Sequence, residues 1–363
     1  MFRLFLLQRS SLGPLDRVFI RLVPLLAAVL LNGCSSLGYY GQLAEGQWQL
    51  LRARQPVERL LDDPATPVRL RQRLTHAEQA RRFASEHLEL PDNRSYRVYA
   101  DLGRPYVVWN VFATPELSLQ PVTHCFPIAG CVAYRGYYRQ GAARGAAALL
   151  RQQGLDTYIG GVEAYSTLGW FDDPILSSMV GWGDERLAAV IFHELAHQRF
   201  YVQDDTEFNE SFASFVEQEG SRQWRVARGL PAIQEHALRQ REQFIQLVLD
   251  SRARLEAIYA SPRNAAGKRA AKQAEFERLR QAYRQVRDEQ WKGDKRYDAW
   301  MYGPMNNAKL LPFGLYDQWV PAFAALFGQV GGDWTLFYQR VEALGQLPVE
   351  QRKAALGRLA ERR

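Results

Sequence analysis

Apolar positions along the chain fall mostly at three- and four-residue spacing, interrupted by one aromatic-rich stretch with a different period. Residues 43–62 and 67–88 carry the helical pattern, with Pro64 and Pro67 breaking between them and Pro91-Asp92-Asn93 closing the second. Residues 95–100, 106–112, 131–138 and 157–170 are rich in Tyr, Val, Trp and Phe and bounded by turn residues, which predicts a small, largely antiparallel sheet. A helix is predicted over 142–153. Helical spacing returns at Leu187, Val190, Ile191 and Leu195, after a Gly181-Trp182-Gly183-Asp184 turn whose Asp is placed to cap. The polar Gln203-Asp204-Asp205-Thr206 turn leads to a second helix over 208–219, with Phe208, Phe212, Phe215 and Val216 on its core side. Residues 233–259 and 265–292 are two long charged helical patterns separated by Ser261-Pro262-Arg263-Asn264, predicting an antiparallel helical hairpin. A cover for a cleft, a docking surface and a solvated structural arm all fit that hairpin, because charge and periodicity do not choose among them.

The fold class is therefore α+β and mainly helical. The expected organisation is a leader over 1–33, a helical segment over 34–92, a sheet with paired helices over 93–232, the hairpin over 233–296 and a C-terminal helical part over 297–363. No internal repeat is visible. With 47% apolar residues, the 363-residue chain can bury a large core.

The leader sets the expected compartment. Arg3, Arg9, Arg17 and Arg21 precede an apolar run over 22–31 that ends in Leu31-Asn32-Gly33-Cys34. A run of about ten residues is too short to span a bilayer, so the pattern reads as a bacterial lipoprotein signal cleaved before a lipidated Cys34. Ser35 in the next position resembles the outer-membrane sorting signal. The expected location is the bacterial envelope, lipid-anchored and facing the periplasm.

Charge changes the picture little. The whole chain carries +7, of which the leader's four Arg and Asp16 supply +3, leaving a mild +4. Export removes access to nucleic acid, so no nucleic-acid partner is expected. Of three cysteines, Cys34 is assigned to lipid, leaving Cys125 and Cys131. They lie six residues apart around Pro127 and Gly130, and an oxidising compartment should pair them. A second metal site built on these thiols and His124 is the weaker reading, since thiols there would be oxidised.

The chemistry sits in His193-Glu194-Leu195-Ala196-His197. On a helix, i and i+4 share one face, so both imidazoles reach one zinc ion while Glu194, about 100° round, leans over the open coordination position. Catalytic zinc takes three protein ligands, so a third must come from outside this helix. An antiparallel second helix brings Glu210 back beside the histidines, with Glu217 in reserve.

Asn209-Glu210-Ser211-Phe212-Ala213 resembles the Asn-Glu-x-x-Ala segment that carries the third zinc ligand in gluzincin metallopeptidases, although the spacer of twelve residues after His197 is shorter than usual there. The wider pattern, with Gly161-Val162-Glu163-Ala164-Tyr165-Ser166-Thr167-Leu168-Gly169-Trp170 upstream, resembles a family of bacterial aminopeptidase lipoproteins over nearly the whole mature chain. The resemblance implies Zn²⁺ on His193, His197 and Glu210, with Glu194 taking a water's proton and passing it to the leaving amine. It implies an oxyanion donor well downstream, for which Tyr302 is the candidate and Tyr297 the next. Gly160-Gly161-Val162-Glu163-Ala164 is similar to the Gly-x-Met-Glu-Asn strand of aminopeptidase N relatives, with Val and Ala replacing Met and Asn. That likeness implies that Glu163 binds the free α-amino group of a peptide. Asn306 and Asn307 read as caps of the following segment or as hydrogen-bond partners of substrate. The expected function is a zinc aminopeptidase acting on envelope peptides. An endopeptidase and a non-catalytic zinc-containing scaffold are the alternatives, and Glu194 argues against the scaffold because a structural site has no use for a general base.

Overall fold

The computed structural model describes residues 38–126, 130–164, 167–231 and 235–361; the leader and Cys34 lie outside them. Two compact units divide at Arg52. In the first, residues 38–52 form helix α1. Among the described residues no helix is long and apolar enough to cross a membrane.

The second unit opens with strand β1 (Arg54–Pro56) and helix α2 (Val57–Asp62), so the helix predicted over 43–62 is split. The cause is pairing: Gln55 lies opposite Tyr99 on antiparallel β2 (Val98–Ala100), which also runs parallel to β8 (Ile175–Leu176). Between β1 and β2 runs helix α3 (Val68–His87).

A second sheet has the order β6-β3-β7, with β3 (Val108–Pro115) in the middle and antiparallel to both β6 (Tyr134–Tyr137) and β7 (Leu155–Val162). Six consecutive residues of β3, from Trp109 to Thr114, are buried, because elements cover both faces of the strand. One cover is α4 (Gln140–Gln152), whose buried Ala143 and Ala147 permit close approach. The strand predicted over 157–170 stops at Val162, opposite Val108, where its partner strand begins. The third sheet is a hairpin of β4 (His124–Phe126) and β5 (Gly130–Val132), in which Cys125 and Cys131 are cross-strand partners joined by a disulfide. The expected single sheet is thus three small ones.

After the short helix α5 (Ser177–Val180) come α6 (Asp184–Arg199) and α7 (Thr206–Ala227). Gly183, not Asp184, is the N-cap of α6. Asp184 is the first helical residue, where its charge suits the helix dipole, and it pairs with Arg73 and with His76 Nε2 at 2.9 Å on α3. Leu187, Ile191 and Leu195 are fully buried as their spacing predicts, and so are Phe208, Phe212 and Val216 on α7. Gly220 is required where α7 meets its neighbours: a Cβ there would stand 2.7 Å from Leu88 Cδ1 and 3.1 Å from Phe192 Cδ2.

The charged hairpin is α8 (Glu235–Ala260) and α9 (Ala265–Glu289). It is not a solvated arm. Phe244, Val248 and Leu255 of α8 and Phe276, Leu279 and Tyr283 of α9 share one core with Leu119, Met301 and Leu310. Buried Lys272 adds a 2.6 Å ion pair to Asp156 beneath the second sheet. Helices α10 (Asp298–Tyr302) and α11 (Asn307–Tyr316) follow, and Asn306 caps α11 by accepting from Lys309 N at 3.0 Å. Asn307 donates to the carbonyls of Glu116 and Ser118, so this pair of asparagines ties α11 to the sheet layer. Helices α12 (Val320–Gln329), α13 (Trp334–Gly345) and α14 (Val349–Ala360) back α7, with Phe212 and Phe215 packed among Phe323, Phe327, Phe337 and Tyr338.

Candidate metal centre

The zinc-helix expectation translates into a compact cluster. His193 and His197 are both buried on α6, one turn apart, with ring centroids 4.9 Å apart and planes nearly perpendicular. Nε2 of His193 lies 3.4 Å from Glu210 Oε2, and Nε2 of His197 lies 3.5 Å from the same oxygen. A tetrahedral ion with bonds of about 2.0–2.1 Å holds its ligand atoms about 3.4 Å apart. The three donors therefore fit a small metal ion, all lying within 4.8 Å of one another.

Contacts of His193 with Glu217 and of His197 with Glu210 show that α7 runs back antiparallel to α6. The turn between the helices is fixed by Asn209, whose Oδ1 accepts from Val202 N at 2.8 Å while its Nδ2 donates to Val202 O at 2.7 Å. Asp205 caps α7 by accepting from Phe208 N at 3.0 Å, and buried Arg352 holds its other oxygen at 2.9 Å. From outside, Cys131 N donates to Asp204 Oδ1 at 2.5 Å, so the disulfide hairpin braces the same turn. Asn209 is thus the residue that aims its neighbour Glu210.

Glu217 is not among the three clustered donors. It sits seven residues, about two turns, after Glu210 on the same face of α7, and accepts from His193 Nδ1 at 3.0 Å. That bond fixes the tautomer and turns Nε2 toward Glu210, the usual second contact of a metal-binding imidazole. His197 Nδ1 has no hydrogen-bond partner among the described residues.

Electrostatics separate the carboxylates. Burial would raise Glu210, but the charges of His197 and His193 and their hydrogen bonds overcome it and hold the group at about 2. Glu194 has no such bonds, and burial raises it to about 7 against the opposing pull of the two histidines. A carboxyl poised there suits proton transfer near neutral pH. Asp173, almost fully buried, adds to the upward pressure on Glu194.

The structure does not bring Tyr302 to this cluster. Tyr302 is 43% exposed, accepts from Arg287 Nη1 at 3.4 Å and lies edge-on to Tyr283 of the hairpin. Tyr297 stacks on Phe244 at 3.9 Å, also in the hairpin core. The tyrosine at the histidines is Tyr316, whose ring stacks over His193 with centroids 6.1 Å apart. Ser211, next to Glu210, holds Tyr316 in place: its hydroxyl donates to Leu315 O and accepts from Trp319 N, both at 3.2 Å. Burial and the charge of Glu210 keep the Tyr316 phenol far above its ordinary pKa, so it remains a hydrogen-bond donor. Tyr134 of β6 feels Glu210 and Glu194 in the same way. Neither tyrosine stands in a local motif, and only folding reveals them.

Glu163, just past the end of β7, is 29% exposed and pairs at 2.5 Å with Arg186 of α6. Arg186 also lies over the Trp182 ring at 4.4 Å and lowers Glu217. This places Glu163 beside α6, with its charge already answered by Arg186.

Neither a curated protein nor a solved structure matches the chain. The model of a family described as "Putative aminopeptidase" matches residues 38–356, which takes in every element of the cluster, and the chain belongs to that family.

Proposed function

We propose that this peptidase is a zinc-dependent aminopeptidase of the bacterial envelope, with His193, His197 and Glu210 as metal ligands. The observation that carries the reading is the buried cluster of two imidazoles and one carboxylate with an ionisable Glu194 beside it. Zinc held there would supply Lewis acidity to a water and to the scissile carbonyl. Glu194 accepts the attacking water's proton and delivers it to the departing amine. Tyr316, and not Tyr302, donates its hydroxyl proton in a hydrogen bond to the oxygen that gains charge at the tetrahedral stage. Glu163 offers a carboxylate to the substrate's α-ammonium, in exchange for its pair with Arg186.

That same pair favours a second reading, an endopeptidase, because a carboxylate already neutralised by Arg186 distinguishes a free amine less well. Matched peptides with free and acetylated amino termini separate the two. An aminopeptidase releases the first residue of the free peptide and leaves the acetylated one intact; internal cleavage of both at similar rates establishes the endopeptidase.

The envelope assignment rests on the leader pattern and on the Cys125–Cys131 disulfide, which suits an oxidising compartment. Mass spectrometry of membrane-purified protein should find Cys34 acylated as the first residue. An intact leader, or an unmodified Cys34, would remove the lipid anchor from the account.

A further inference from the structure

Two points beyond β7 are tied to α6: Glu163 pairs with Arg186, and Asp173 Oδ2 accepts from Gln198 Nε2 at 3.2 Å. Arg186 and Gln198 are twelve residues apart on α6, about 18 Å, and Glu194 lies between them one turn before Gln198. Glu163 and Asp173 are therefore held to α6 at points on either side of Glu194 along the helix.

Residues 167–173 form a tied loop. Thr167 N and Oγ1 donate to the two oxygens of Asp173 at 3.0 and 2.7 Å, and Phe171 N donates to Thr167 Oγ1 at 3.1 Å. Leu168 and Gly169 both take left-handed backbone, at φ 56° and 79°. Glycine adopts that conformation freely, but leucine does so at a cost, and such strain gathers where a loop is held in one shape for use. What the loop presents is aromatic: Trp170 is 66% exposed and Phe171 46% exposed. Two adjacent large rings left in water, on a constrained loop that ends at Asp173, whose charge acts on Glu194, contribute little to the core.

We infer that Trp170 and Phe171 form an apolar platform that receives a large hydrophobic side chain of the peptide next to the scissile bond, and so set the enzyme's preference for such residues. The inference rests on the peptidase reading above. Its chemistry is burial of ring and aliphatic surface against exposed aromatics, which discriminates by the size of the substrate's side chain and not by its charge. Asp172, next to Phe171, has its carboxylate paired with Arg94 at 3.0 Å.

The test compares kcat/KM for the p-nitroanilides of phenylalanine and alanine in the wild-type protein and in Trp170→Ala, Phe171→Ala and Trp170→Phe. Both alanine variants should lose about tenfold or more on the phenylalanine substrate and change little on the alanine substrate. Trp170→Phe should restore most of the loss, and zinc content should stay at the wild-type level throughout. Equal losses on the two substrates, or none on either, overturn the inference while the wild type's turnover keeps the peptidase reading. A wild-type protein, zinc-loaded, that turns over neither substrate overturns the aminopeptidase reading and, with it, this inference.

Discussion

Glu194→Gln should lose about 10³-fold in kcat while keeping its metal. The substitution removes the proton acceptor and preserves the shape of the side chain, and general-base catalysis contributes about 10²–10⁴-fold. The metal stays because Glu194 is not among the clustered donors. A linked pH effect follows from the burial that raises Glu194 to about 7. The base must be ionised, so kcat/KM should fall as pH drops through that pKa; a bound dication favours the ionised form and moves the midpoint below 7. Peptide turnover at the wild-type rate in metal-loaded Glu194→Gln would exclude Glu194 as the base.

Glu210 and Glu217 give the second large contrast. Both touch His193, but only Glu210 also faces His197, with 3.4 and 3.5 Å from one oxygen to the two Nε2 atoms. Glu210→Ala should weaken zinc binding by far more than about 100-fold, since that figure is the upper range for losing an outer partner of a ligand. It should abolish turnover at ordinary zinc concentrations. Glu217→Gln removes the charge that orients His193 and should cost about 10–100-fold in affinity, with activity recovered at high zinc. Isothermal titration of the two variants checks this. If Glu217→Gln were the more damaging, the ligand assignment would be reversed.

That His193, His197 and Glu210 come together was legible in the sequence for a physical reason. An i, i+4 pair of imidazoles is a local feature, and the apolar periods at Leu187–Leu195 and Phe208–Val216 announce two helices that must fold back across a short turn. The disulfide was legible because Cys125 and Cys131 lie six residues apart around Pro127 and Gly130, where the chain can double back. What stayed hidden depends on long-range packing. Tyr316 reaches His193 through Ser211, more than a hundred residues earlier in the chain, and nothing near Tyr316 marks it. Tyr302 stands in an aromatic, Pro-bounded segment that closes the hairpin core. The sheet was misjudged in extent because strand length depends on the partner, as at Val162, and not on the strand's own residues. Asp184 sits one position inside the cap because the cap and the first helical residue both favour aspartate, and sequence does not choose between them.

Peptide hydrolysis should depend on one zinc held by His193, His197 and Glu210. The most direct measurement strips the mature protein of metal and titrates zinc back while following release of the first residue from a free-amine peptide. Turnover should start near zero, rise in proportion to added zinc and level off at one ion per chain, with no rise in Glu210→Ala over the same range. Undiminished turnover by the stripped protein, or full recovery in Glu210→Ala at one equivalent of zinc, would contradict the account.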